Sequence, residues 1–182
     1  MNRYAPWRRD YATGAARLLV GLLLVWAAWR ASAWFVVATG VLLILMWRAN
    51  VARGVFRERG KAVEAQAVGE LRRAVCSKVV VHASVPCPYG DVDALLRSYG
   101  MTWAIEIKAQ RAVAVRWGRL VSRSPRAHKA LAQALRSGRW ARAQPVVWFP
   151  LARQRSSGMV DGVLVVCGPV RDLLRQAGIA GR

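Results

Sequence analysis

The sequence predicts an α/β domain, a small mixed sheet flanked by helices, preceded by two transmembrane helices. Three observations carry this expectation. Apolar residues concentrate between Leu18 and Met46. From about residue 61 onward, stretches with helical apolar spacing alternate with short β-branched runs. Charge and apolarity are both high yet separated along the chain: the 182 residues carry 29 Lys+Arg against 9 Asp+Glu, a net charge of +20, with 55% hydrophobic residues. That apolar content argues against a disordered basic tail. Only 3 cysteines in a chain of this length argue against a disulfide scaffold.

The apolar stretch reads LLVGLLLVWAAWRASAWFVVATGVLLILM, with Arg30 as its one charge. Some 30 helical residues span about 45 Å, against about 30 Å of hydrocarbon. Two shorter helices, about 12–29 and 33–47, with a turn near Arg30–Ser32, fit better than one tilted span. Arg17 would snorkel to the headgroups, and Trp26, Trp29, Trp34 and Trp47 lie near the ends, where interfacial rings are favoured. Arg3, Arg8, Arg9 and Arg17 precede the pair, and Arg48, Arg53, Arg57, Arg59 and Lys61 follow it. An even number of spans keeps both basic groups on the cytoplasmic side. The alternative, a signal peptide, fits poorly: the stretch is too long and shows no small-residue cleavage site. The expected organisation is a membrane anchor at 1–48, a basic juxtamembrane linker at 49–60 and a domain at 61–182. The expected location is a bacterial-type inner membrane, crossed more than once, with the domain in the cytoplasm.

Within the domain, Lys61–Val75 is helical, with Val63, Ala67, Leu71 and Ala74 as its apolar stripe. Val79–Val85 is β-branched and reads as a strand, ended by Pro86, Pro88 and Gly90. Asp91–Leu96 and Thr102–Lys108 are short strands joined by a turn at Ser98–Gly100, and Ala112–Trp117 alternates as a further strand. Ser124 and Pro125 open a helix as N-cap and first residue, and Gly138 closes it. Val146–Phe149 and Gly162–Cys167 are apolar runs of strand length, and Asp172–Gln176 begins a terminal helix.

The acids are few, so their positions are informative. In Trp103–Lys108, alternation puts Trp103, Ile105 and Ile107 on one face, and Glu106 and Lys108 on the other. Asp91 and Asp93 share a face of the preceding strand, and hairpin pairing would bring Asp93 beside Glu106. Glu70, three residues after Ala67 and seven after Val63, falls at the apolar stripe of its helix, where a carboxylate needs a partner. Two neighbouring carboxylates repel unless a cation separates them. Mg²⁺ accepts such oxygen ligands and keeps several waters. A lysine on the same strand face is placed to orient an attacking water or stabilise the charge that develops at phosphorus. Without metal, the same residues make a structural ion pair.

The order Gly69-Glu70 on a helix, Gly90-Asp91-Val92-Asp93, then Ile105-Glu106-Ile107-Lys108 resembles the PD-(D/E)XK nuclease superfamily and, more closely, the nuclease-related domain (NERD) family. The resemblance spans about residues 60–170 and continues weakly through Ser124-Pro125 and the Pro145–Pro150 strand. It implies a restriction-endonuclease-like fold and a nuclease dependent on Mg²⁺ or Mn²⁺. It implies Asp93 and Glu106 as metal ligands, Lys108 as the catalytic lysine and Glu70 as the helix carboxylate of the same catalytic and metal-binding set, with Asp91 secondary. The sequence departs from the family at His128, where Gln often stands three residues after the helix-opening proline, and at Ala109, where a small polar residue is usual. Gln133 lies further along on another face, and His128 is a secondary site candidate.

Cys76, Cys87 and Cys167 lack metal-ligand spacing, and His82 and His128 are the only histidines. Arg97, Arg111, Arg116, Arg119, Arg123 and Arg126 lie too far along the chain to serve topology alone, and they favour a polyanion. Trp103, Trp117, Trp140 and Trp148 are candidates to stack on bases, with core packing the expectation for most. The expected partners are therefore nucleic acid, DNA above all, and a lipid bilayer. Two other readings stay open: an inactive module on the same fold that binds DNA or a partner protein at the membrane, and a basic face that binds only anionic lipid.

Overall fold

The computed structural model describes residues 6–31 and 34–179, with side chains for 11–27, 29 and 37–179. The turn expected near Arg30–Ser32 ends outside the described residues, as does the side chain of Trp34. The chain forms two compact units, Met1–Lys61 and Ala62–Arg182.

The first unit is built on helices α1 (Pro6–Ala31) and α2 (Trp34–Ala74), the second of which continues into the other unit. Within it the two helices pack antiparallel. A Cβ on Gly21 would lie 2.9 Å from the Gly40 carbonyl oxygen, one on Gly14 would meet Trp47, and one on Gly54 would meet the Tyr11 ring. The Tyr11 hydroxyl donates to Glu58 Oε2 at 3.0 Å. Glycine at the crossing lets the two backbones approach this closely. Leu19, Leu22, Leu23, Trp26, Trp29, Leu42 and Leu45 point outward and are exposed.

Two expectations are corrected here. One described helix, Val37–Ala74, is long and apolar enough to cross a membrane, whereas the apolar stretch of α1, Tyr11–Ala27, is shorter. Thus two equivalent transmembrane helices are replaced by one helix of spanning character and a shorter apolar partner, whose run contains Thr13 and Arg17. Residues 49–60 are not a linker but the middle of α2, which is helical for 41 residues. That segment contains no proline and consists mostly of residues that tolerate helix, so nothing breaks it.

The second unit is a mixed α/β domain. Strands β1 (Val80–Cys87), β2 (Gly90–Ser98), β3 (Met101–Ile107), β6 (Gln144–Phe149), β7 (Ser156–Val160) and β8 (Val163–Cys167) form one sheet in the order β1-β2-β3-β6-β8-β7. Its centre, β3-β6-β8, is parallel and its flanks are antiparallel. Strands β4 (Val113–Arg116) and β5 (Arg119–Ser122) make a separate hairpin. Thus Ala112–Trp117 contributes a strand, but not to the main sheet. Helices α3 (Pro125–Ala141) and α4 (Val170–Gln176) complete the unit.

One sheet face packs Trp103, Ile105, Ile107, Trp148 and Val166 against Ala67, Val68, Leu71 and Val75 of α2 and Leu173 and Leu174 of α4. The other packs Val147, Phe149 and Val165 against Ala127, Ala130, Leu131 and Ala134 of α3 and against Val113 and Leu120 of the hairpin. Gly138 does not close α3. It is buried there because a Cβ would press on Pro145 and the Ala143 carbonyl at 3.0 Å, and the helix ends at Arg142, whose φ of 49° supplies the left-handed cap.

Candidate active site

The site grows out of the β2–β3 hairpin. Its two-residue turn, Tyr99-Gly100, sets the register Ala94↔Ile105, which carries Asp93 to the level of Glu106. There Asp93 takes over from the backbone ladder: the Ile107 N–H donates to Asp93 Oδ2 at 2.7 Å. Parallel pairing with β6 holds β3 from the other side, and the Lys108 N–H donates to the Trp148 carbonyl at 2.9 Å. The strand is therefore pinned on both edges where its charged side chains emerge.

Those side chains converge. The Lys108 ammonium donates to Glu106 Oε1 and lies 3.8 Å from Asp93 Oδ2. Glu106 is 2% exposed, Asp93 10% and Lys108 23%, so the lysine forms the solvent-facing side of the group. Glu106 Oε2 is buried with no hydrogen-bond partner. Burial, then the Asp93 carboxylate, pushes the Glu106 carboxyl up to about 7 against the pull of Lys108, and Glu64 adds to the rise. Burial opposes the charged form of Lys108, but Glu106, Asp93 and Glu64 outweigh it and hold its pKa above the ordinary lysine value.

The structure thus brings Asp93, Glu106 and Lys108 together. It does not bring Glu70 to them: Glu70 is half-buried and accepts a 3.0 Å hydrogen bond from Gln66 on its own helix. Among the described residues, no group of three or more His, Cys, Asp or Glu side chains is close enough to hold a metal ion. Asp91 is exposed, opposite Pro86 in the β1–β2 ladder, and His128 is exposed on α3. Glu64 of α2 adds the smallest of the electrostatic contributions that raise Glu106 and Lys108. The buried residues Ala67, Val68, Leu71 and Val75 define the inner face of α2. At about 100° per residue, Glu64 lies within about 20° of Leu71 and Glu70 about 100° away. A stripe drawn through Val63 and Ala74 is rotated away from that face, which is why it places Glu70 nearer the core than the packed helix does.

The donor set suits a small, hard cation. Two carboxylates with one oxygen unsatisfied match Mg²⁺ or Mn²⁺, which bind through one or two carboxylates and keep water and phosphate as further ligands. The cysteines are free, with Cys167 buried and Cys76 and Cys87 half-buried, and burial pushes the Cys167 thiol up. Trp103 and Trp148 are core residues, whereas Trp140 and Trp117 are exposed. No model of a known family, no curated protein and no solved structure matches this chain.

Proposed function

We propose that this chain is a membrane-anchored nuclease of the PD-(D/E)XK type, related to the NERD family and hydrolysing nucleic-acid phosphodiester bonds with Mg²⁺ or Mn²⁺. The observation that carries this reading is the convergence of Asp93, Glu106 and Lys108, in which Glu106 Oε1 meets the lysine and Oε2 is buried with no partner. Asp93 and Glu106 would hold the ion. When bound, the ion supplies Lewis acidity at the phosphate and a more acidic water. Asp93 is kept in position by the Ile107 N–H, so its carboxylate needs little reorganisation to act. Lys108 is the most exposed of the three, and its ammonium would orient the nucleophile and offset charge gathering on the phosphate oxygens. The basic surface holds the phosphate backbone, which makes binding salt-sensitive and largely independent of sequence. Helix α2 would cross the membrane and α1, although its apolar run is shorter, would cross beside it, which would leave the domain in the cytoplasm.

Nicking of supercoiled plasmid by the full chain in detergent tests the chemistry. Mg²⁺-dependent nicking is expected, abolished by EDTA and lowered about 10²–10³-fold by Lys108→Ala. Cleavage indifferent to both EDTA and Lys108→Ala would overturn the mechanism. The close Lys108–Glu106 pair, which neutralises itself, favours one other reading: an inactive module that binds nucleic acid or a partner at the membrane. It predicts gel shifts without turnover in any divalent metal.

A further inference from the structure

The β4–β5 hairpin carries a feature that neither the acids nor the anchor uses. Its register Arg116↔Arg119 leaves Trp117-Gly118 as a two-residue turn, with φ of +49° and +71°. Two positive φ values define the mirror-image turn that favours Asn-Gly, and a bulky residue at the first position is strained. Asp161-Gly162 makes the same kind of turn with the small polar residue it prefers. Trp117 gains no packing in return, since it is 94% exposed, the most exposed large hydrophobic side chain among the described residues. Tyr99 occupies a similar turn, at the head of the hairpin that positions Asp93.

The charges below Trp117 are equally uneconomical for folding. Arg116 and Arg119 stand directly across from one another, where like charges destabilise a strand pair. Beside them lies a cleft of about 450 Å³ lined by Arg111, Arg116, Arg123 and Arg153, with no carboxylate among its lining residues. The hairpin holding these groups is firmly rooted. Val113 and Leu120 are in the core, the Val115 N–H donates to Ser156 Oγ at 2.8 Å, and Arg116 donates to Gln154 at 3.3 Å. Arg111 follows Lys108 by three residues, which limits their Cα separation to about 11 Å.

We infer that this hairpin is a grip for unpaired nucleic acid: Trp117 stacks on an exposed base while Arg116, Arg119 and the arginine cleft hold the adjoining phosphates. Stacking requires a free π-face, which single strands and frayed ends offer and an intact duplex does not. A concave arginine cleft follows a phosphate chain, whereas a bilayer presents a plane. This inference rests on the nuclease reading and names its substrate class.

The test is fluorescence anisotropy of labelled oligonucleotides on the full chain in detergent, with EDTA present so that nothing is cleaved. A thymidine oligonucleotide of about 12 nucleotides should bind at least about tenfold tighter than a blunt duplex with as many phosphates. Trp117→Ala should weaken single-strand binding about tenfold with an unchanged salt slope, and Trp117→Phe should restore most of it. Arg119→Ala should lower the salt slope by about one. Trp117→Asn suits the turn better, so it should unfold at no lower temperature than the parent yet bind as weakly as Trp117→Ala. Equal binding of duplex and single strand, or full affinity in Trp117→Asn, overturns the grip. So does Trp117-dependent binding to phosphatidylglycerol vesicles without oligonucleotide binding. Metal-dependent nicking through Lys108 is read separately, so either result stands if the other fails.

Discussion

At the residue scale, the candidate chemistry turns on Glu106. Its carboxyl is pushed from 4.5 to about 7 by burial and by Asp93. A raised carboxyl favours the folded state below its unfolded value, and that contribution is lost as pH rises through the folded value. The metal-free protein should therefore lose about 3 kcal/mol of stability between pH 4.5 and 7, at about 1.4 kcal/mol per unit. Unfolding in EDTA across pH 5–8 checks this, and Glu106→Gln should flatten the profile. A slope that persists in Glu106→Gln would assign the effect to another group. Mg²⁺ must displace the same proton, so its apparent affinity should climb with pH up to about 7 and then level off. The charged residues here were legible in sequence because alternation along β3 puts Glu106 and Lys108 on one face. Glu64 was not, because its role depends on which side of α2 meets the sheet.

At the element scale, hairpins and glycines carry the local decisions. The Tyr99-Gly100 turn sets the register that brings Asp93 level with Glu106, and a slip of one residue would send Asp93 to the opposite face. In the α1–α2 pair, a Cβ on Gly40 would sit 2.8 Å from the Gly21 carbonyl oxygen, whereas one on Gly60 meets nothing within 4 Å. Gly40→Leu should destabilise the helix pair by about 1–3 kcal/mol, and Gly60→Ala should be neutral or add up to about 1 kcal/mol. Thermal unfolding of both variants in detergent checks the contrast; equal effects would mean that close helix contact does not hold the pair. Most strands were readable from β-branched runs, including the β6 and β8 segments. Strands β5 and β7 were not, because Arg119–Ser122 and Ser156–Val160 lack a long apolar run and owe their conformation to pairing with β4 and β8.

At the scale of the whole molecule, a net charge of +20 and an outward-facing apolar helix pair are compatible with membrane association and an anionic partner. With two crossings, tags at the N-terminus and the C-terminus should both be digested by protease in inside-out vesicles and both protected in right-side-out ones. One tag protected and the other digested in the same preparation would mean a single crossing. By itself, the sequence determined the segregation of apolar and basic residues, the α/β character of the domain and the acid–lysine pair on β3, because these follow from composition and from periods of 2 and 3.6 residues. The tertiary structure alone decided that α2 runs unbroken through the expected linker, that Glu70 pairs with Gln66 on its own helix, and that Trp117 stands exposed beside an arginine cleft. Each depends on which faces of distant segments meet, and local patterns carry no information about that until the chain has packed.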